Sequence, residues 1–190
     1  MSVIVKSVLG ARQAIDALAQ DEKTLRAAEA VGELLVARLK AGQKIMVVGN
    51  GGSACDAAHF AEELTGRYQR NRRALAAMAC TDAGHITCTA NDFGFEHVFS
   101  RWVEGLGKPG DVLVLLSTSG NSANILRARE SGAAIGMTTV GLLGRDGGKM
   151  RGTCDHEVIV TGGVGGGTSD RIQELHKVII HGWCEMVDGI

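Results

Sequence analysis

Between Lys44 and Arg67 the chain changes character twice in quick succession, and few folds accommodate the change. Four consecutive apolar residues, Ile45-Met46-Val47-Val48, make a run of strand length without polar alternation, which reads as a strand buried on both faces. The run ends in Gly49-Asn50-Gly51-Gly52, where the backbone takes positive φ freely and little side-chain bulk keeps a ligand away. Ser53 then reads as a helix N-cap, and Asp56 three residues later fits a capping box. Strand, glycine turn and helix start together build an anion site, because the first N–H groups of a helix lack partners and point outward. His59 and Glu63, four apart, share one face of that helix.

Two nucleotide signatures can be weighed against this stretch. Gly49-x-Gly51-x-x-Ala54 matches the dinucleotide fingerprint, but that pattern needs an acidic residue about 20 positions on, and Asp82 comes late. A Walker loop is excluded, since no Gly-Lys-Ser/Thr follows. The plainest reading is a turn that binds nothing. A second loop speaks against it: the aliphatic run Val112 to Leu116 passes directly into Ser117-Thr118-Ser119-Gly120-Asn121-Ser122, with a helix from Ala123. Hydroxyls and a glycine at the end of a buried strand, just before a helix, make an anion trap without a cation.

The rest of the chain supplies the frame. Ala74 to Cys80, Thr138 to Leu143 and Glu157 to Val160 read as further strands, the second followed by a turn at Gly144-Arg145-Asp146-Gly147-Gly148. Helices are expected at 7–20 and 22–41, the latter ended by Gly42, at 84–90, and around Phe99, Trp102, Val103 and Leu106. Five strands alternating with helices predict a three-layer α/β/α sandwich on a five-stranded parallel sheet, with ligands beyond the C-terminal strand ends where the strand order switches. The N-terminal helix pair either covers the sheet or meets a second subunit. Arg70-Asn71-Arg72-Arg73 reads as a solvated polar turn. Asn91-Asp92-Phe93-Gly94-Phe95 is either a loop folded over a pocket or a plain turn with both phenylalanines packed inward.

Residues 161–168 are dense in glycine, and one long helix, capped by Ser169, is expected to run to the end. It carries Gln173, His176 and His181. On a helical wheel His181 lies about 80° to one side of Gln173 and His176 about 60° to the other, so the wheel does not choose between them.

Composition closes off several classes. With 190 residues and 45% hydrophobic content the chain builds one domain, 1–190. A net charge of −1 without a basic block argues against nucleic acid. Five cysteines with no CxxC pair suggest neither a disulfide frame nor a thiolate metal site. Lys6 to Arg12 interrupts the modest apolar start and no run approaches membrane-spanning length, so the expectation is a soluble, cytoplasmic protein without signal peptide.

Taken in order, Gly49-Asn50-Gly51-Gly52-Ser53, His59 through Tyr68, Asn91-Asp92-Phe93-Gly94-Phe95, Ser117 through Ser122 and Arg171-Ile172-Gln173-Glu174 strongly resemble the phosphoheptose isomerases, a family of the sugar isomerase (SIS) domain superfamily with a flavodoxin-like, Rossmann-like fold. The resemblance covers essentially the whole chain. It implies interconversion of sedoheptulose 7-phosphate and D-glycero-D-manno-heptose 7-phosphate, the first step toward nucleotide-activated heptose for lipopolysaccharide core. It implies a homotetramer, with residues 1–42 in its packing and active sites between subunits. Ser53, Ser117, Thr118, Ser119 and Ser122 would hold the phosphate, and Asn50, Gly51, Gly52, Asn91, Asp92 and Gln173 would line the sugar. One Zn²⁺ per subunit would be held by residues matching His59, Glu63, Gln173 and His181, which selects His181 over His176. The glycine content of 161–168 departs from the family pattern.

Those residue types suit the reaction. Moving a proton between neighbouring carbons through an ene-diol needs a base at carbon and an acid or metal at the oxygens. Glu63 is the natural base and also a substrate contact; His181 is the natural acid. A carboxylate bound to zinc is a poorer base, so Glu63 alternates roles or the metal is chiefly structural. Competing readings are a non-catalytic binding protein of the replication initiator-associating type, which lacks the carboxylate and final histidine, a sugar-phosphate sensor, and an isomerase of another phosphosugar.

Overall fold

The computed structural model describes residues 1–163 and 167–190. Two long helices, α1 (Val3–Gln20) and α2 (Glu22–Lys40), precede β1 (Ile45–Gly49) and α3 (Gly52–Thr65). β2 (Ala77–Ala79), α4 (Ala83–Phe93), a 3₁₀ turn at Phe95–His97 and α5 (Val98–Leu106) follow. The chain continues through β3 (Val112–Ser117), α6 (Ala123–Ile135), β4 (Thr138–Gly144), a 3₁₀ turn at Gly148–Met150, β5 (His156–Val160) and α7 (Ser169–Val187). The five strands form one parallel sheet in the order β2-β1-β3-β4-β5. The expected α/β/α sandwich is present.

Alternation along the strands divides the core. Ile45, Val47, Val112, Val114 and Leu116 pack with residues of α2, α3 and α7, including Leu35, Phe60 and Trp183. Met46, Val48, Leu113 and Leu115 face the other way, onto Phe99, Trp102 and Val103 of α5 and Ile125 of α6. The runs are continuous rather than alternating because both faces of a parallel sheet are covered. α3 and α7 therefore lie on the same side, and Phe60 and Trp183 meet with ring centroids 5.9 Å apart.

Several local expectations are corrected. β2 spans Ala77–Ala79 rather than 74–80, in keeping with its place at the sheet edge. The capping box at Ser53 does not form. Gly51, at φ 56°, is the cap, so Ser53 already lies inside α3 and Asp56 pairs with Lys177 of α7 at 2.7 Å. Thr168, not Ser169, caps α7, with no side-chain cap bond. Asn91 and Asp92 belong to the last turn of α4, and Phe93 and Phe95 are half exposed rather than packed inward, with Phe95 bordering a groove it shares with Asn50 and Ser122. Residues 164–166 of the glycine-dense stretch lie outside the described residues.

Arg72 is not solvated. Its side chain is 5% exposed and its Nε donates to Asp188 at 3.0 Å. Burial alone would raise the Asp188 carboxyl, but the N–H groups of Arg70 and Gln69 and the Arg72 guanidinium hold it below the usual carboxylate range. α1 buries Ala14 and Leu18, while Ile4, Val5, Val8, Leu9 and Ile15 stay exposed. Among the described residues no helix is long and apolar enough to cross a membrane.

Candidate active site

The order 2-1-3-4-5 reverses between β1 and β3, and the crevice at such a switch point is where α/β sheets bind ligands. Register puts Gly49, the last residue of β1, beside Leu116 of β3. The glycine turn and the hydroxyl loop thus leave the sheet side by side. A cavity of about 60 Å³ opens between them, lined by Asn50, Ser53, Leu116, Ser117, Thr118, Ser119, Ser122 and Gln173. At about 10–15 Å³ for one water, it admits a group of phosphate size.

Backbone geometry holds the walls in place. Ser117, buried, accepts from the N–H of Gly120 at 2.9 Å. Gly120 has φ 62°, and a Cβ there would overlap the carbonyl oxygen of Gly147, so only glycine suits the turn. Ser119 Oγ accepts from the N–H of Asn121 at 3.2 Å, and Ser122, the residue before α6, makes no side-chain capping bond. Asn50 and Asn124 exchange two amide hydrogen bonds, each 2.9 Å, which ties the first loop to α6. Asn124, buried, was not singled out by the sequence; an amide two residues past the hydroxyl loop was the available signal. Gly51 and Gly52 lie at the start of α3, and the Gln173 amide rests on Gly52, its Oε1 within 2.6 Å of where a Cβ would stand.

Two turns along α3, three further residues converge. One ligand atom from each of His59, Glu63 and His181 lies within 4.8 Å of the others. His59 Nε2 stands 3.0 Å from His181 Nε2 and 3.4 Å from Glu63 Oε1. The Glu63 side chain is 16% exposed and that of His59 33%, so the cluster is partly shielded but reachable. Tyr68 stacks on His181 with centroids 5.7 Å apart and planes at 29°. Burial, then the neighbouring His59 and Lys177, push the His181 pKa down, against Glu63 and Asp56, which favours a neutral imidazole at pH 7. Two imidazoles and a carboxylate are the donor set of open catalytic zinc sites, so the cluster fits such an ion.

Not every expected residue gathers here. Gln173 lines the hydroxyl cavity and rests on Gly52, two turns of α3 before His59. Asn91 and Asp92 are exposed at the end of α4; Asn91 Nδ2 donates to Asp92 Oδ1 at 2.8 Å, and neither lines the cavity. An open groove of about 470 Å³ beside it is lined by Asn50, Phe95, Glu96, Ser122, Ala123 and Asn124. His176 is buried, with no hydrogen-bond partner for either ring nitrogen among the described residues. A cleft of about 460 Å³ near Lys23, Arg145 and Glu157 holds none of the expected residues.

A hydroxyl-lined cavity at the switch point of a 2-1-3-4-5 sheet accompanies a match of the SIS domain model to residues 11–144, so the chain is a protein of the SIS-domain class. Within it, the phosphoheptose isomerase of Fusobacterium nucleatum is 48% identical over 90% of this chain and 86% of its own length. Solved phosphoheptose isomerases of Neisseria gonorrhoeae (38% identical, TM-score 0.86) and Francisella tularensis (31%, TM-score 0.91) superpose over the full length of both chains. The chain belongs to the phosphoheptose isomerase family.

Proposed function

We propose that this chain interconverts sedoheptulose 7-phosphate and D-glycero-D-manno-heptose 7-phosphate through an ene-diol, as the first step toward nucleotide-activated heptose for lipopolysaccharide core. The observation that carries the reading is one helix, α3, with a phosphate-sized cavity at its start and a carboxylate–imidazole cluster two turns on. Ser53, Ser117, Thr118, Ser119 and Ser122 hold the phosphate, assisted by helix N-termini. Asn50, Gly51, Gly52 and Gln173 bind the sugar's hydroxyls. Asn91 and Asp92 fit this role when a neighbouring subunit presents them, and the exposed apolar face of α1 supports assembly, here a homotetramer.

Glu63 takes a proton from C1 of the ketose, exchanges it with water through the partly open cluster, and delivers a proton to C2. His181, kept neutral by its surroundings, moves a proton at the adjacent oxygen. His59, Glu63 and His181 would hold Zn²⁺, with Gln173 as fourth donor after its side chain turns; when bound, the ion supplies Lewis-acid polarisation of the substrate oxygens. A cytoplasmic location, where charged phosphosugars are retained, completes the proposal. The test is turnover of sedoheptulose 7-phosphate against pentulose and hexulose phosphates, with and without Zn²⁺. Preference for the heptulose supports the assignment. Binding without turnover of any of them would favour a sensor or a partner-binding protein instead.

A further inference from the structure

The ends of the two helices that carry the cluster are joined by one buried ion pair. Arg72 donates from Nε to Asp188, the residue following α7, at 3.0 Å. Its remaining nitrogens cover the C-terminus of α3: NH2 donates to the Glu63 carbonyl at 2.7 Å and NH1 to the Leu64 carbonyl at 2.9 Å. These are carbonyls that a helix end leaves without intrahelical partners, and a cation is favoured there. The other carboxylate oxygen of Asp188 accepts from the N–H groups of Gln69 and Arg70, at 2.7 and 2.8 Å. Those bonds hold the loop whose Tyr68 stacks on His181. The pair is 5% and 2% exposed, so water competes little for it.

We infer that Arg72 and Asp188 are positioning residues for isomerisation: the guanidinium fixes the backbone of Glu63, while the carboxylate fixes the Tyr68 loop that orients His181. Neither touches the site. Each acts on one of the two groups that must face the same pair of substrate carbons, where misplacement by about 1 Å costs on the order of 100-fold in rate. The guanidinium's planar fork is required, because a lysine presents a point charge and cannot span Asp188 and both carbonyls at once. The phosphate cavity lies at the far end of α3, so substrate binding is spared.

This inference rests on the proposed function, and the experiment separates the two. Full-length wild type, Arg72→Lys, Asp188→Asn and Tyr68→Leu are compared for kcat and KM with sedoheptulose 7-phosphate, for Co²⁺ affinity by absorption titration, and for melting temperature. The expected result is kcat reduced at least about tenfold, KM within about threefold, and Co²⁺ affinity reduced about tenfold. Should kcat and Co²⁺ affinity stay within twofold of wild type while only the melting temperature falls, the pair is structural and the inference is wrong. If the two ion-pair variants do not fold, Tyr68→Leu decides on the same two readings. Absence of turnover by the wild type strikes at the proposed function instead, and Co²⁺ affinity then judges the positioning role.

Discussion

His59 and His181 face each other through their Nε2 atoms at 3.0 Å, across the seam between α3 and α7. Two like groups approach so closely only when one donates and the other accepts, or when a cation sits between them. With Glu63 Oε1 at 3.4 Å from His59 Nε2, the seam gathers two imidazoles and a carboxylate whose geometry depends on how two helices are held. Those helices belong to the same layer because alternate residues of β1 and β3 send their side chains to that face.

Glu63→Gln keeps the shape of the side chain and removes its basicity. Turnover is expected to fall by about 10²–10⁴-fold with KM changed only a few-fold. Initial-rate kinetics on sedoheptulose 7-phosphate measure both, and retention of full activity would show that another group is the base.

Ser119→Ala takes one hydroxyl from the cavity. A hydrogen bond to a charged group contributes about 1.5–3 kcal/mol, so KM for phosphorylated sugar is expected to rise at least about tenfold. Inhibition by inorganic phosphate should weaken in parallel, which direct competition assays would read.

Gly120→Ala forces a side chain into the carbonyl of Gly147 at a φ of 62°. The expected loss is at least about 2 kcal/mol of stability, together with a displaced hydroxyl loop. Urea unfolding with and without millimolar phosphate measures both effects.

Two of these positions show what could be read from residue order and what could not. The hydroxyl loop was legible because an aliphatic run, a serine cluster and a helix start are local patterns, and register then fixed which loop lies beside it. The helix start at Gly52 was displaced from expectation because the positive φ of Gly51 opens the helix before Ser53, which frees Asp56 for a partner 121 residues away on α7. Arg72 looked like a solvated arginine for the same reason: Asp188, its partner, lies 116 residues further on. The choice of His181 over His176 needed the family pattern. In the fold, α7 buries His176 against the sheet side and leaves His181 facing His59.

His176 gives the fold a sensitivity to acid. Burial lowers its pKa to about 4, against the opposing influence of the Leu143 backbone and Asp56. An unfolded histidine titrates near its ordinary value of about 6.5. Between these values the unfolded chain binds the extra proton, so stability is expected to fall as pH drops from about 6.5 to 4, by at most about 1.4 kcal/mol per pH unit. His176→Leu should flatten that limb in urea unfolding measured from pH 4 to 7. An unchanged slope would place the acid sensitivity elsewhere.

The most direct test of the account is isomerisation of sedoheptulose 7-phosphate in D₂O, followed by NMR. The wild-type protein is predicted to deliver solvent deuterium to C2 of the heptose phosphate, with Glu63→Gln slowing product and label together by about 10²–10⁴-fold. Product formed with no label at C2 would contradict transfer with solvent exchange, and label and product appearing at the wild-type rate in Glu63→Gln would contradict proton transfer by the carboxylate of α3.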